Sequence, residues 1–228
     1  MAMRNTNLFS PVLLVLTAAM ATLTVSTAFG EALTVDVWCE LEPMVYEGGE
    51  YPVSAETAAR RMLEEARNFI SAMIYGYSFV YTPSDKSRRV AEEFALRPLA
   101  EVAWGDPKLN VLLTEKRGNR MFSKISYRLE DYQLARRRSW GSNTQPSATG
   151  SGEETIIQGI SAKQSAFVQS LKNAIREYMR KRVFNKPKDI RGDLLLWEPP
   201  ATIIKAGAYL TTSKIKLSIQ NLTPYTVF

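Results

Sequence analysis

The 228-residue sequence contains no histidine and a single cysteine. The first absence excludes Ser-His-Asp and Cys-His catalysis, imidazole general-base chemistry and every histidine metal site. The second excludes an internal disulfide and thiolate zinc or iron-sulfur sites. No P-loop and no paired-glycine dinucleotide fingerprint is present, so no cofactor is expected. Any enzyme built here relies on carboxylates, or on a Ser-Lys or Tyr-based arrangement. Long apolar runs are scarce beyond the first thirty residues, and no later segment approaches the roughly 20 apolar residues of a spanning helix.

Those first thirty residues contain no acid and one base, Arg4, followed by Val12-Leu13-Leu14-Val15-Leu16 and an Ala/Thr/Met-rich continuation to Val25. A charged start, an apolar middle and small residues Ala28 and Gly30 ahead of Glu31 have the form of a cleavable secretory signal. The expected location is a periplasm, with secretion as the alternative. An uncleaved anchor is disfavoured because threonines and a serine dilute the apolar core. Cys39 has Val37-Trp38 before it, where a lipobox would place small residues. Without the leader about 198 residues remain, enough for a real core. Arg4 is the only charge removed, so the formal charge of +6 becomes +5. That excess is modest and suits an acidic polymer, an anionic lipid surface or nothing specific.

Along the mature chain, Leu33, Val35, Val37, Cys39 and Leu41 alternate with polar residues, the period of a half-buried strand. Cys39 on the apolar side reads as a small buried hydrophobe rather than a reactive thiol. After the turn-like Glu47-Gly48-Gly49-Glu50, Ser54 offers an N-cap to a helix whose apolar residues Ala55, Ala59, Met62, Leu63, Ala66, Ile70, Met73 and Ile74 recur at helical steps. Gly76 ends it. Tyr77 to Tyr81 reads as a strand, and Ser87 to Phe94 as a short helix. Leu109 to Glu115 and Met121 to Leu129 read as a β-hairpin. Residues 139–155 turn to Ser, Gly, Thr, Asn and Pro, the composition of a flexible connection. Ser161 and Gln164 fit a capping box for a second helix with Phe167, Leu171, Ala174, Ile175, Tyr178 and Met179 on one stripe. Strands are expected at Asp193 to Trp197, Thr202 to Lys205 and Ala208 to about Gln220.

The expected fold class is therefore α+β, with two amphipathic helices packed on a small mixed or antiparallel sheet. The expected organisation is a signal peptide over residues 1–30, an N-terminal half over 31–138, a linker over 139–155 and a C-terminal half over 156–228. Ser54-Ala55 with Ala59, Leu63 and Ala66 echoes Ser161-Ala162 with Ala166, Leu171 and Ala174. The echo fits a duplicated helix-plus-strands unit, and equally two helices that look alike because both pack on strands.

Acidic pairs Glu64-Glu65 and Glu92-Glu93 read as solvated helix faces, while Glu40, Glu42, Glu47 and Glu50 gather near the first strand. Basic residues cluster at Lys116, Arg117 and Arg120, at Arg136, Arg137 and Arg138, and at Arg176, Arg180, Lys181 and Arg182. These are the candidate contacts for an anionic partner, by charge neutralisation and stacking on nearby aromatics. Export argues against nucleic acid. Trp197-Glu198-Pro199-Pro200 reads as a rigid exit from a strand.

At Ala58-Ala59, Ala66-Arg67, Ile70, Ile74, Gly76 and Phe79-Val80 the chain resembles exported LPP20-like proteins of the bacterial envelope, a group that includes flagellar accessory components. The resemblance implies alanine-rich helices on a small sheet and a scaffolding role. The functional expectation is a non-catalytic periplasmic scaffold or accessory subunit with envelope protein partners or further copies of itself. The alternatives are a carboxylate-dependent polysaccharide hydrolase and a binder of anionic glycan or membrane surface.

Overall fold

A computed structural model describes residues 31–43 and 51–225 of the protein. The leader expected over residues 1–30 and the acidic Glu47 and Glu50 lie outside these residues. Among the described residues nine strands form two antiparallel sheets, with three α-helices, so the class is mixed α+β.

The first strand, β1 (Ala32–Glu40), buries Leu33, Val35 and Val37 on one face, as the alternation requires. It pairs with β5 (Arg120–Arg128), which pairs with β4 (Leu109–Arg117), giving a three-stranded sheet ordered β1-β5-β4. The helix α1 (Ala55–Ile74) begins where Ser54 accepts a 3.1 Å hydrogen bond from the Thr57 amide. It packs on β1 and β5 on one side and on the other sheet on the other, which is why its last turn is buried from Phe69 to Ile74.

The second sheet is ordered β3-β2-β7-β9-β6, with β2 (Tyr77–Thr82), β3 (Glu93–Pro98), β6 (Ser147–Thr155), β7 (Asp189–Leu196) and β9 (Ala208–Thr223). The short β8 (Ala201–Lys205) follows β7 along the same edge of β9, separated from it by the Pro199-Pro200 break. The third helix, α3 (Ile160–Arg180), covers β6 and β9.

Four expectations change. The polar stretch 147–155 is strand β6 rather than a linker, and the six-stranded sheet draws on both proposed halves. Its glycines allow this: a Cβ at Gly150 would lie 2.2 Å from the Ala174 nitrogen, and one at Gly152 2.2 Å from the Ala166 oxygen. Backbone approach replaces side-chain packing here. The expected helix at Ser87 to Phe94 is a turn closed by an Asp85–Val90 bridge and then β3, because the Asp85 carboxylate takes the Ser87 and Arg88 amides. A helix α2 (Asp131–Trp140) occupies a segment to which no element was assigned, and the capping box belongs to it, through Glu130 and Gln133. The expected box at Ser161 is not made, because Gly159 takes the cap position and the Ser161 hydroxyl donates to the Gln158 carbonyl at 2.9 Å.

Candidate functional site

A cleft of about 470 Å³ lies between α1 and α3, bounded at one end by the end of β1 and at the other by β3 and residues 98–101. Helix geometry builds both walls. Arg61, Glu65 and Phe69 follow at four-residue steps on α1, while Ile160, Lys163, Gln164, Phe167 and Val168 form the facing stripe on α3. Phe69 and Phe167 meet with ring centroids 5.1 Å apart at 59°.

At the β1 end, Trp38 holds the polar groups together. Lys163 Nζ sits 4.2 Å from the indole centroid and the Arg120 guanidinium 4.8 Å from it. The same ammonium donates to the Trp38 carbonyl at 2.8 Å and to Glu65 Oε2 at 2.7 Å. The indole N–H donates to the Thr202 carbonyl at 3.1 Å, tying β1 to β8. Tyr209 donates to Glu40 Oε2 at 2.5 Å, and burial, then this acceptor, push the phenol well above its ordinary range. Across the cleft, burial and the Glu101 charge push Tyr77 up to about 12, which keeps its hydroxyl neutral.

Each acid on the cleft wall is engaged by a cation: Glu40 with Arg120 at 4.0 Å, Glu64 with Arg60 at 3.5 Å, Glu65 with Lys163, and Glu101 with Arg67 at 3.3 Å. Two-carboxylate hydrolysis needs acids free to address a substrate from two sides. Among the described residues no cluster of three or more Cys, Asp or Glu side chains is placed to hold a metal. The Glu92 carboxylate, on the strand side of the molecule, accepts from Tyr81 at 2.8 Å and Lys172 at 2.5 Å. Burial there favours the neutral acid, and these two partners outweigh it and hold the carboxyl below its ordinary value.

Cys39 is half-buried at the cleft and its thiol donates weakly to the Glu40 carbonyl at 3.4 Å. Burial pushes the thiol up, and the positive charges of Arg61 and Lys163 offset this only in part. A raised pKa means less thiolate at any given pH. Alkylation by iodoacetamide is therefore expected to be slower than for a free cysteine at pH 8, with the rate profile displaced to higher pH. A profile displaced to lower pH would contradict this.

The basic residues do not converge. Lys116, Arg117 and Arg120 sit at the β4–β5 turn, Arg136, Arg137 and Arg138 on α2, and Arg176, Arg180, Lys181 and Arg182 at the end of α3. Arg136 donates to the Tyr75 carbonyl at 2.9 Å, and Arg137 to those of Met73 at 2.8 Å and Trp197 at 2.7 Å, while stacking 4.8 Å over the Trp197 ring. These two arginines satisfy carbonyls at the end of α1, the place where a helix favours positive charge. Arg138 is exposed. Arg180 pairs with Glu177 at 3.2 Å and Arg182 lies 3.9 Å over the Tyr178 ring, so local partners occupy part of the α3 cluster too. The cleft itself was not foreseen, since its walls come from stripes a hundred residues apart.

No solved structure matches the chain. An uncharacterized protein of Treponema pallidum (strain Nichols) is 24% identical over 204 residues, which covers 89% of this chain and 86% of the relative. A protein-family model matches residues 21–225, nearly the whole chain, and the protein belongs to that family.

Proposed function

We propose that the protein is exported to the bacterial periplasm and works there as a non-catalytic accessory or scaffold subunit, gripping an extended segment of a partner envelope protein along the open edge of β4. The leader supports the location, and the LPP20-like resemblance points to envelope assemblies such as the flagellum.

The observation that carries the partner contact is β4 itself. It ends the three-stranded sheet, and Val111, Leu112 and Leu113 are 51%, 58% and 53% exposed. Val111 pairs with the fully buried Ile125 and so lies on the core-facing side of its sheet, yet α1 covers β1 and β5 and leaves it open. A register shift between Val111 and Leu113 gives the edge apolar side chains on both faces. Folded proteins normally blunt such an edge with charge, proline or a covering element. An added strand would satisfy the edge backbone and cover Val111 and Leu113 at once.

The test places a photoreactive amino acid at Leu112 in cells. Irradiated envelopes are expected to give a discrete adduct with a second envelope protein, and the same replacement at the exposed Ile157 to give none. Val111→Lys with Leu113→Lys is expected to abolish the adduct while leaving the thermal midpoint unchanged. Absence of an adduct at Leu112, or equal adducts at both positions, would refute the edge contact.

A further inference from the structure

The charges lining the α1–α3 cleft are matched with one exception. Glu40, Glu64, Glu65, Glu101 and Lys163 each have an opposite charge within 4.0 Å. Among the described residues Arg61 has none, and its Nη1 is buried without a hydrogen-bond partner. Two other arginines also carry an unsatisfied buried nitrogen, but both are engaged elsewhere. Arg67 pairs with Glu101 and donates to the Val102 carbonyl at 3.2 Å, and Arg136 donates to the Tyr75 carbonyl. The partner the structure gives Arg61 is the thiol of Cys39, a weak one for a guanidinium.

Much of the rest of the wall is apolar, interrupted by the polar Asn68, Ser71 and Gln164. Phe69, Phe167 and Val168 run along the helices, and Leu96 and Pro98 continue the surface at the far end. A volume near 470 Å³ is within the range of about 300–1,000 Å³ usual for small-molecule sites. A buried guanidinium nitrogen without an acceptor is unfavourable, and an anion that supplies both a charge and two acceptor oxygens removes that cost.

We propose that the cleft binds an amphiphile bearing a single carboxylate, whose headgroup pairs with Arg61 and whose aliphatic body lies along Phe69, Phe167, Val168 and Leu96. One unmatched positive charge calls for one negative charge, and Glu64 and Glu65 on the same helix repel a dianion. Two opposed apolar stripes call for a chain rather than a compact polar metabolite. The site is separate from the β4 edge, so either can fail without the other.

The test is calorimetric titration of the protein with monomeric dodecanoate, dodecyl phosphate, dodecanol and dodecyltrimethylammonium. Dodecanoate is expected to bind one to one and more tightly than the other three. Arg61→Gln is expected to weaken dodecanoate by about ten- to a hundredfold, the range of a charge-assisted contact, and Arg61→Lys to recover part of it. The ligand-free Arg61→Gln protein is expected to melt no lower than wild type, because the guanidinium it loses has no opposite charge and only a weak thiol partner; a purely structural arginine would lower the midpoint. Val168→Trp, which fills the apolar bed and leaves Arg61 intact, is also expected to weaken binding at least tenfold. Absence of dodecanoate binding, an equal or tighter affinity for any of the other three probes, or wild-type affinity in either Arg61→Gln or Val168→Trp would overturn the proposal.

Discussion

Replacing Gly152 with valine is expected to prevent the protein from folding, and Gly152→Ala alone to cost about 3 kcal/mol or more. The first added carbon would meet the Ala166 oxygen at 2.2 Å, the Ser170 nitrogen at 2.4 Å and Gln169 Cβ at 2.7 Å. Two of these atoms are helix backbone and cannot swing aside. Gly150 is placed alike, 2.2 Å from the Ala174 nitrogen and 2.4 Å from the Ser170 oxygen. The helix answers with small residues at four-residue steps, Ala166, Ser170 and Ala174, and Ser170 bridges to Ser213 of β9 at 2.6 Å. Moving α3 outward would also open the packing of Phe167, Leu171 and Ile175 on the core. Total stabilities are roughly 5–15 kcal/mol, so the larger valine, which adds the displacement of α3 to the clash, removes most of that margin. Far-UV circular dichroism and thermal melting check this, and a Gly152→Val protein that melts like wild type would contradict the close packing.

The second large effect separates neighbours in one basic run. Arg137→Ala is expected to destabilise the protein by about 2–4 kcal/mol, and Arg138→Ala by less than about 0.5 kcal/mol. Arg137 joins the end of α1 to the β7–β8 break through the Met73 and Trp197 carbonyls, and its planar group stacks on the Trp197 ring. Burial pulls its guanidinium below the ordinary arginine value, with the Glu31 charge opposing. Removing it leaves two acceptors without their donor and uncovers an aromatic face that Lys216, 5.3 Å from the centroid, covers only in part. Arg138 is exposed, and removing it changes surface charge alone. Urea denaturation of the two variants decides the matter. Equal losses would show that the run acts as one surface patch rather than as a structural clamp beside a free charge.

Much of the fold was legible because its period was clean. The alternation of β1, the apolar stripes of α1 and α3, and strand β5 of the expected hairpin each bury apolar residues of the predicted face. Strand β6 was hidden for the opposite reason: its inward positions are glycines pressed against a helix backbone, so the composition that signals a linker also signals close backbone packing. Helix α2 buries only Gln133 and Trp140, which leaves too little periodicity to read. Glu92 was expected on a solvated helix face and instead links Tyr81 to Lys172, a contact between β2 and α3 that no local spacing encodes. Of the basic residues, composition revealed the clusters but not that Arg136 and Arg137 would turn inward to the end of α1. The cleft escaped because Arg61 reads as one more charge on a charged helix, and its lack of an opposite charge among the described residues exists only in three dimensions.

The central claim, that the β4 edge receives a partner strand, is tested most directly by amide hydrogen exchange of residues 109–117 in the purified protein and in the envelope-bound form. Strand addition predicts fast exchange of the outward amides in the purified protein and marked protection in the envelope, with β5 unchanged. Equal exchange of β4 in both states would contradict it.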